Sequence, residues 1–182
     1  MAQTLPAAQP DTIRLRAPCP EDGPEVHRLI AACPPLDANS LYCNLLQCSH
    51  FGETCVVAEQ DHQLVGWVAG YRLPAEPGTL FVWQGAVAAN CRGRGLGGQM
   101  IRHLIDRPAT VPCSRIRTTV TAENRPSRRM FEQLAASLDV GLATSPLFER
   151  ERHLDGRHAT EHQIVIGPFP RPVLTHFPTR TP

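Results

Sequence analysis

The sequence contains no lysine, since all 18 of its basic residues are arginines. This absence excludes a Walker A phosphate loop, a pyridoxal Schiff base and a catalytic lysine, because each of them needs the lysine amine. No charge of one sign dominates either, because 17 acidic residues leave a formal net charge of +1. We therefore expect no nucleic acid partner and no general attraction to an anionic membrane.

Long hydrophobic runs are also missing. No stretch approaches the roughly 18 consecutive apolar residues that a bilayer crossing requires. The first residues lack the basic and apolar regions of a signal peptide. We therefore expect a cytoplasmic protein.

A length of 182 residues, with 42% of them hydrophobic, predicts a single domain with its own core.

The seven cysteines form no CxxC pair. The densest group of potential metal ligands consists of Cys43, Cys48, His50 and Cys55. Its spacing is poor for zinc, and the segment has the pattern of a helix that leads into a strand. We predict no metal site and reduced, mostly buried thiols, which fits a cytoplasmic protein.

Proline is abundant, with 18 residues, and many of them lie near the two ends of the chain. This distribution predicts a flexible tail over residues 1–12 and a proline-rich tail over residues 168–182. Residues 13–167 are then the folded domain.

Within that domain the hydrophobic period switches repeatedly between that of a strand and that of a helix. We predict strands at 13–16, 54–59, 64–73, 79–87, 115–121 and 162–166. We predict helices at 21–33, 97–106 and 125–138, and a further helix that begins with a cap at Asp37. Hairpins that precede alternating strands and helices indicate an α/β protein, with a mixed sheet covered by helices.

A glycine-rich loop, Arg92-Gly93-Arg94-Gly95-Leu96-Gly97-Gly98, joins the most strand-like segment to a helix. Glycines let backbone N–H groups turn toward a ligand, and a helix N-terminus adds positive potential. The loop therefore predicts a pyrophosphate site.

Two motifs overlap in this loop. Gly93, Gly95 and Gly98 satisfy the dinucleotide fingerprint GxGxxG, with Glu123 near the place of its acidic partner. That fingerprint normally opens the first strand-helix-strand unit of a fold, whereas this loop lies in mid-chain. Arg92, Gly95 and Gly97 instead satisfy the pattern Arg/Gln-x-x-Gly-x-Gly/Ala. This pattern resembles the pyrophosphate signature of the GNAT N-acetyltransferases, and the order of the predicted elements resembles their fold.

The segment Asn124-x-x-Ser127-x-x-x-Phe131-Glu132 is similar to a second motif of that family. The resemblance implies that Asn124 contacts coenzyme A, and that Phe131 replaces a tyrosine that commonly protonates the leaving thiolate. It further implies a GNAT fold with a mostly antiparallel mixed sheet and a splayed central strand pair. Acetyl-CoA is the implied cosubstrate, held by Gly85, Ala86, Val87, Arg92, Gly93, Arg94, Gly95, Leu96, Gly97 and Asn124.

Three further segments narrow the resemblance to the L-2,4-diaminobutyrate acetyltransferases of ectoine biosynthesis. They are Pro34-Pro35-Leu36-Asp37-Ala38-Asn39-Ser40-Leu41-Tyr42, Phe81-Val82-Trp83-Gln84 and Thr118-Thr119-Val120-Thr121. The family implies a homodimer that acetylates the N4 amine of a small amino acid. The implied acceptor pocket contains Asp37, Tyr42, Trp83, His158 and Glu161, of which Asp37, Glu161 and His158 are the implied catalytic residues.

The residues by themselves leave alternatives open. Asp37 could instead cap a helix, and Asn124 could simply begin one. Tyr42 and Trp83 could serve only in packing, and His158 and Glu161 could lie in a solvated loop. Carboxylates beside an amine favour its protonated form, so the group that deprotonates the amine stays undecided. The alternative functions are acetylation of another small amine and non-catalytic binding of acyl-CoA.

Overall fold

A computed structural model describes residues 12–170 of the chain. Along the chain, the strands and helices are β1 Arg14–Arg16, α1 Gly23–Ala31, α2 Leu41–His50, β2 Val56–Gln60, β3 Gln63–Leu73, β4 Glu76–Val87, α3 Leu96–Ile105, β5 Arg115–Thr121, α4 Arg125–Ser137, β6 Leu142–Phe148, α5 Arg150–His153 and β7 Glu161–Ile166. The strands form one seven-stranded sheet in the order β1-β2-β3-β4-β5-β7-β6. The pairs β1–β2, β2–β3, β5–β7 and β6–β7 are antiparallel.

The described residues divide into two compact units, and β4 contributes to both. The first unit contains residues 12–71 and 82–104. Its core places α1 and α2 against the strands, through the buried residues Val26, Leu29, Ile30, Cys33, Cys48, Cys55, Val57, Leu64, Trp67, Ala69 and Ala86. Apolar residues at helical spacing in α1 supply part of this burial, as their period predicts, whereas β3 is buried continuously from Leu64 to Gly70.

A charged cluster joins β1 to the turn before α1. Arg16 donates two hydrogen bonds to the Asp22 carboxylate, at 2.7 and 2.8 Å, and a third to Glu59 at 2.8 Å. Burial opposes ionisation of Asp22, but the bonds from Arg16 and from the Cys19 N–H outweigh it and lower the pKa of Asp22. The hydrogen bond from Arg16 also lowers the pKa of Glu59. Both carboxyl groups are therefore most stable ionised, which ties β1, β2 and the turn together.

The second unit contains residues 72–81 and 105–170. Here β7 lies between β5 and β6 and pairs with both. Helix α4 buries Phe131, Leu134 and Ala135. Strand β6 forms the edge of the sheet, and four consecutive residues of it, 143–146, are exposed.

Most predicted elements are confirmed within one to three residues, and so is the α/β fold. The predicted hairpin is present, with a two-residue turn at Asp61 and His62 whose φ angles are +50° and +62°. Strand β4 begins at Glu76, three residues earlier than predicted, because the turn contracts to two residues. Strand β6 and the short helix α5 were not predicted at all.

The predicted helix cap at Asp37 is wrong. Helix α2 begins at Leu41, and the Ser40 hydroxyl accepts a hydrogen bond from the Cys43 N–H at 3.1 Å. Serine in extended geometry one residue before a helix is a favoured cap, and it accepts from the third helical residue as it does here. Asp37 therefore lies three residues before the cap and has no part in it.

Packing continues past residue 167, where the folded domain was predicted to end. Phe169 is only 5% exposed, and its N–H donates to the Ser114 carbonyl at 2.9 Å. The rest of the predicted C-terminal tail, from residue 171, lies outside the described residues. Residues 1–11 of the predicted N-terminal tail also lie outside them.

Candidate functional site

The glycine-rich loop takes a backbone path that favours glycine. Gly93 and Gly95 both have a φ of +74°, in the left-handed region that L side chains rarely adopt. A Cβ at Gly93 would meet nothing within 4 Å, so conformation and not crowding selects glycine there. The Gln99 N–H donates to the Gly95 carbonyl at 3.1 Å and closes the first turn of α3. The N–H groups of residues 96–98 therefore have no partner inside the helix.

Two guanidinium groups flank this helix start. Arg92 and Arg94 are exposed, and the Arg92 Nε donates to the Val87 carbonyl at the end of β4, at 2.9 Å. This bond holds the Arg92 side chain beside the loop. Backbone donors, the positive end of the α3 dipole and two arginines together suit a pyrophosphate, so the residues present fit the phosphates of coenzyme A.

The strand before the loop leaves room at one position. Gly85 is exposed, and a Cβ there would make only ordinary contacts, 3.8 Å from Val68 Cγ2 and 3.9 Å from the Trp67 carbonyl. Packing in this unit therefore does not demand glycine, and the open backbone suits a close approach by a ligand. The side chains of Ala86 and Leu96 are buried, 2% and 3% exposed, so only their backbone groups can serve a ligand. Gly97 is half-buried.

Helix α4 begins at the second predicted motif. The Asn124 Oδ1 accepts a hydrogen bond from the Ser127 N–H at 3.2 Å and caps the helix. The interpretation of Asn124 as a helix-start residue is confirmed, while its contact with coenzyme A stays a prediction. Phe131 is 3% exposed, which confirms it as a core residue. A phenyl ring has no proton to donate, so the tyrosine role implied by the family has no group here.

Three predicted acceptor residues belong to the first unit. Gln84 Nε2 donates to the Asp37 carbonyl at 2.9 Å, next along β4 to Trp83. The Asp37 side chain is exposed, and no described hydrogen bond or ion pair within residues 12–170 uses its carboxylate. The Trp83 ring is 48% exposed and meets Tyr71 edge to face, with centroids 6.5 Å apart. Tyr42, in the first turn of α2, is 69% exposed.

The other two predicted acceptor residues belong to the second unit. Glu161 is the first residue of β7 and is half-buried, opposite Thr121 of β5 and Phe148 of β6. His158 is exposed in the loop between α5 and β7. Pairing with two neighbouring strands therefore fixes the backbone position of Glu161, whereas His158 lies in a loop outside the sheet.

The sequence analysis did not identify two residues that position Asp37 in the first unit, Asn39 and Gln84. Asn39 Nδ2 donates to Gln84 Oε1 at 3.1 Å, so Gln84 holds the segment before α2 at both Asp37 and Asn39. These partners are 45 and 47 residues apart in sequence. No local pattern indicates such a pairing, and only the packing of that segment against β4 reveals it.

None of the seven cysteines, all within residues 12–170, is in a disulfide, which agrees with the predicted thiols, and five of the seven are buried. Burial raises the pKa of Cys48 to about 12, so its thiolate, the form that binds metal, is scarce at neutral pH. Within residues 12–170, no group of three or more His, Cys, Asp or Glu side chains is arranged to hold a metal ion. None of the helices in that range has the length and apolarity that a membrane crossing needs.

Comparison with known proteins places these features in a family. The model of the acetyltransferase (GNAT) family matches residues 23–136. An L-2,4-diaminobutyric acid acetyltransferase from Methylotuvimicrobium alcaliphilum is 48% identical over 157 residues, which are 86% of this chain and 91% of the relative. The enzyme of the same name from Vibrio cholerae is 44% identical, over 83% of this chain and 87% of its own length.

A solved structure agrees with these relatives. It is the diaminobutyrate acetyltransferase from Paenibacillus lautus in complex with its substrate L-2,4-diaminobutyric acid and coenzyme A. The two chains share 36% identity with a TM-score of 0.84, over 89% of this chain and 98% of the other. The dinucleotide interpretation of the loop is thereby set aside, because fold and relatives both agree with the acetyltransferase motif. The chain belongs to the GNAT acetyltransferases and, within them, to the L-2,4-diaminobutyric acid acetyltransferases.

Proposed function

We propose that this enzyme transfers the acetyl group of acetyl-CoA to the N4 amine of L-2,4-diaminobutyrate. The product is N4-acetyl-L-2,4-diaminobutyrate, formed in the cytoplasm on the route to the osmoprotectant ectoine. The names of the relatives support this substrate, as does the Paenibacillus lautus complex with that amino acid and coenzyme A.

The glycine-rich loop binds the pyrophosphate of the cosubstrate in this proposal. Its support is the left-handed, exposed backbone at Gly93 and Gly95 and the start of α3 immediately after them. Arg92 and Arg94 supply the countercharge, while Gly85 and the backbone of Ala86 and Val87 accommodate the arm that carries the acetyl group. Backbone donors aimed at a thioester carbonyl would stabilise the charge that develops on its oxygen.

One observation carries the acceptor assignment: the Asp37 carboxylate is exposed and uncommitted while Gln84 holds its backbone beside Trp83. An acid whose position is fixed by its main chain keeps its charge free for a ligand. Diaminobutyrate brings two amines, which a carboxylate can orient through charge-assisted hydrogen bonds. The exposed face of Trp83 adds a cation–π surface. We assign Tyr42, in the same unit, to this acceptor site, and the binding roles of His158 and Glu161 stay predictions.

The reaction needs no acyl-enzyme in this scheme. The neutral N4 amine forms its new bond to the acetyl carbon, the carbon–sulfur bond breaks, and the sulfur leaves as the thiolate of coenzyme A. The nitrogen then releases one proton to become the amide. An alkylamine has a reference pKa of about 10.4 and must therefore lose a proton first. Asp37 is the protein group that we propose for orienting the amine and accepting that proton, while the catalytic roles of Glu161 and His158 stay predictions.

A thiol-release assay with a panel of amines tests the assignment. We expect rapid turnover of diaminobutyrate and slow turnover of lysine, ornithine and spermidine, with mass spectrometry locating the acetyl group on N4. Turnover of a different amine would retain the loop assignment and reject the acceptor assignment. Binding of coenzyme A without turnover of any amine would reject the proposed reaction.

We also propose that the enzyme is a homodimer. Strand β6 supports this, because it forms the edge of the sheet and has residues 143–146 exposed on both of its faces. Edge strands that carry no covering element tend to pair with another chain. Light scattering coupled to size exclusion should give twice the 20.0 kDa chain mass, and a monomer at assay concentration would contradict the proposal.

A further inference from the structure

The segment of residues 34–39, between α1 and α2, is joined to β4 through one side chain. Gln84 Nε2 donates to the Asp37 carbonyl at 2.9 Å, and Gln84 Oε1 accepts from Asn39 Nδ2 at 3.1 Å. No other hydrogen bond within residues 12–170 joins residues 34–39 to a strand. These two bonds are here called the Gln84 clamp.

The clamp uses both ends of one amide. A primary amide donates from its nitrogen and accepts at its oxygen, so a single orientation of the Gln84 side chain satisfies both partners. One contact alone would let the segment pivot about it. Two contacts to the same planar group restrict rotation as well as distance, so the clamp fixes the direction of the backbone that it holds.

The clamp holds the main chain of Asp37 and leaves its charge alone. The bond goes to the Asp37 carbonyl, while the exposed carboxylate enters no described hydrogen bond or ion pair within residues 12–170. Gln84 itself is half-buried on β4 and follows the exposed Trp83. The position of the Asp37 carboxylate beside Trp83 therefore depends on Gln84.

Amines that compete for such a carboxylate differ in length and not in charge. Diaminobutyrate, ornithine and lysine each carry two amines and one carboxylate, and each is one methylene longer than the one before. A protein carboxylate that orients one amine places the other at a distance that the number of methylenes sets. Selection by length therefore needs a carboxylate held in one place, since a misplacement of about 1 Å can cost about 10²-fold in rate.

We propose that Gln84 is a positioning residue that sets the chain-length selectivity of the acceptor site, with Asn39 as its second contact. The proposal rests on the proposed function, because Gln84 acts through Asp37. Without the clamp, the carboxylate moves with a loose segment and no longer matches one length of amine. Diaminobutyrate then loses more turnover than a longer amine does.

Steady-state kinetics of Gln84→Met with diaminobutyrate and ornithine test the proposal. Methionine keeps the length of the side chain and removes both hydrogen bonds. We expect kcat/KM for diaminobutyrate to fall about tenfold, and its ratio to kcat/KM for ornithine to fall about fivefold, with the KM for acetyl-CoA unchanged. Asn39→Ala removes one of the two bonds and should lower the same ratio by less.

The matched control is Gln163→Met, a change of the same chemistry in a half-buried strand residue. It removes the bond of 2.9 Å from Gln163 Nε2 to Ser145 Oγ and should keep the wild-type ratio. The ratio does not depend on the fraction of enzyme that is folded, so partial misfolding of a variant cannot imitate the expected result.

A double-mutant cycle with Asp37→Asn separates positioning from a purely structural role. In the Asp37→Asn background, Gln84→Met should lower kcat/KM for diaminobutyrate by less than about threefold, because the charge that the clamp positions is already gone. A structural role would lower the turnover of both amines equally, and by the same factor in either background. That result, beside normal turnover of diaminobutyrate by the wild type, would overturn this inference alone. Failure of the wild type to acetylate diaminobutyrate would reject the proposed function and this inference with it.

Discussion

At the scale of single residues, Asp37 is free for a ligand because the neighbouring helix takes its cap from Ser40. Its carbonyl is engaged by Gln84 at 2.9 Å, so the backbone is held while the carboxylate faces solvent. Removing only the charge should therefore affect function and leave the fold intact.

We expect Asp37→Asn to lower kcat/KM for diaminobutyrate by about 10- to 100-fold, the usual range for losing a hydrogen bond to a charged group. The melting temperature and the KM for acetyl-CoA should stay near those of the wild type, and steady-state kinetics with a thermal melt measure all three. Asp106→Asn makes the same change at another exposed position and should leave kcat/KM unchanged. Equal kinetics in the two variants would remove Asp37 from the acceptor site.

The Arg16 cluster makes a separate prediction, about acid stability. The folded-state pKa values of Asp22 and Glu59 lie below their ordinary values of 3.8 and 4.5. Their contribution to the free energy of unfolding is therefore complete above those ordinary values and is lost as the pH falls through the lower folded-state values. The wild type should lose stability progressively below pH 4.5.

The variant Asp22→Asn isolates this effect, because the amide oxygen can still accept the Cys19 N–H. At neutral pH it should lower the free energy of unfolding by about 1–3 kcal/mol, as Arg16 loses a charged partner. Urea titrations at several pH values should show the gap to the wild type closing in acid. A gap that is constant with pH would mean that charge is not the cause, and exposed Asp106→Asn is the control.

At the scale of elements, local signals predicted the structures that are built from local interactions. The β2–β3 hairpin and helix α4 appear where alternation, helical period and Pro126 indicated them. Strand β6 was missed because residues 143–146 are exposed and its sequence carries no alternating pattern. It is a strand through its pairing with β7, which a reading of the local sequence does not detect.

The glycine-rich loop is the element that we propose to bind the pyrophosphate of the cosubstrate. Gly95→Ala should destabilise the loop by about 1–2 kcal/mol, since a residue with a Cβ is costly at a φ of +74°. We expect a raised KM for acetyl-CoA with a smaller change in the KM for diaminobutyrate.

Gly141→Ala is the matched control for that variant. Its Cβ would meet nothing within 4 Å, and its φ is not in the left-handed region, so kinetics and stability should be unchanged. Unaltered acetyl-CoA kinetics in Gly95→Ala would show that the loop conformation does not matter for binding.

At the scale of the whole molecule, the packed structure extends beyond the catalytic motifs. Phe169 is buried and bonded to Ser114, although the proline pattern placed it in a tail. Phe169→Ala should lower the free energy of unfolding by about 3–5 kcal/mol, the usual cost of truncating a buried phenylalanine.

Denaturant titration measures this loss, with Phe51→Ala as its control. The Phe51 ring is 43% exposed, so its truncation should cost much less. If both variants lost the same stability, the segment after β7 would not be part of the cooperative fold.

The sequence by itself determined the features that depend on neighbouring residues. The absence of lysine limited the chemistry, periodicity predicted most helices and strands, and closely spaced glycines marked the loop, because the left-handed backbone at Gly93 and Gly95 suits glycine. The tertiary structure decided what depends on distant partners. The cap at Ser40 released Asp37, Gln84 held that segment from 47 residues away, and β7 ordered an otherwise unpatterned edge strand. Such contacts form only when the chain packs, so no local pattern records them.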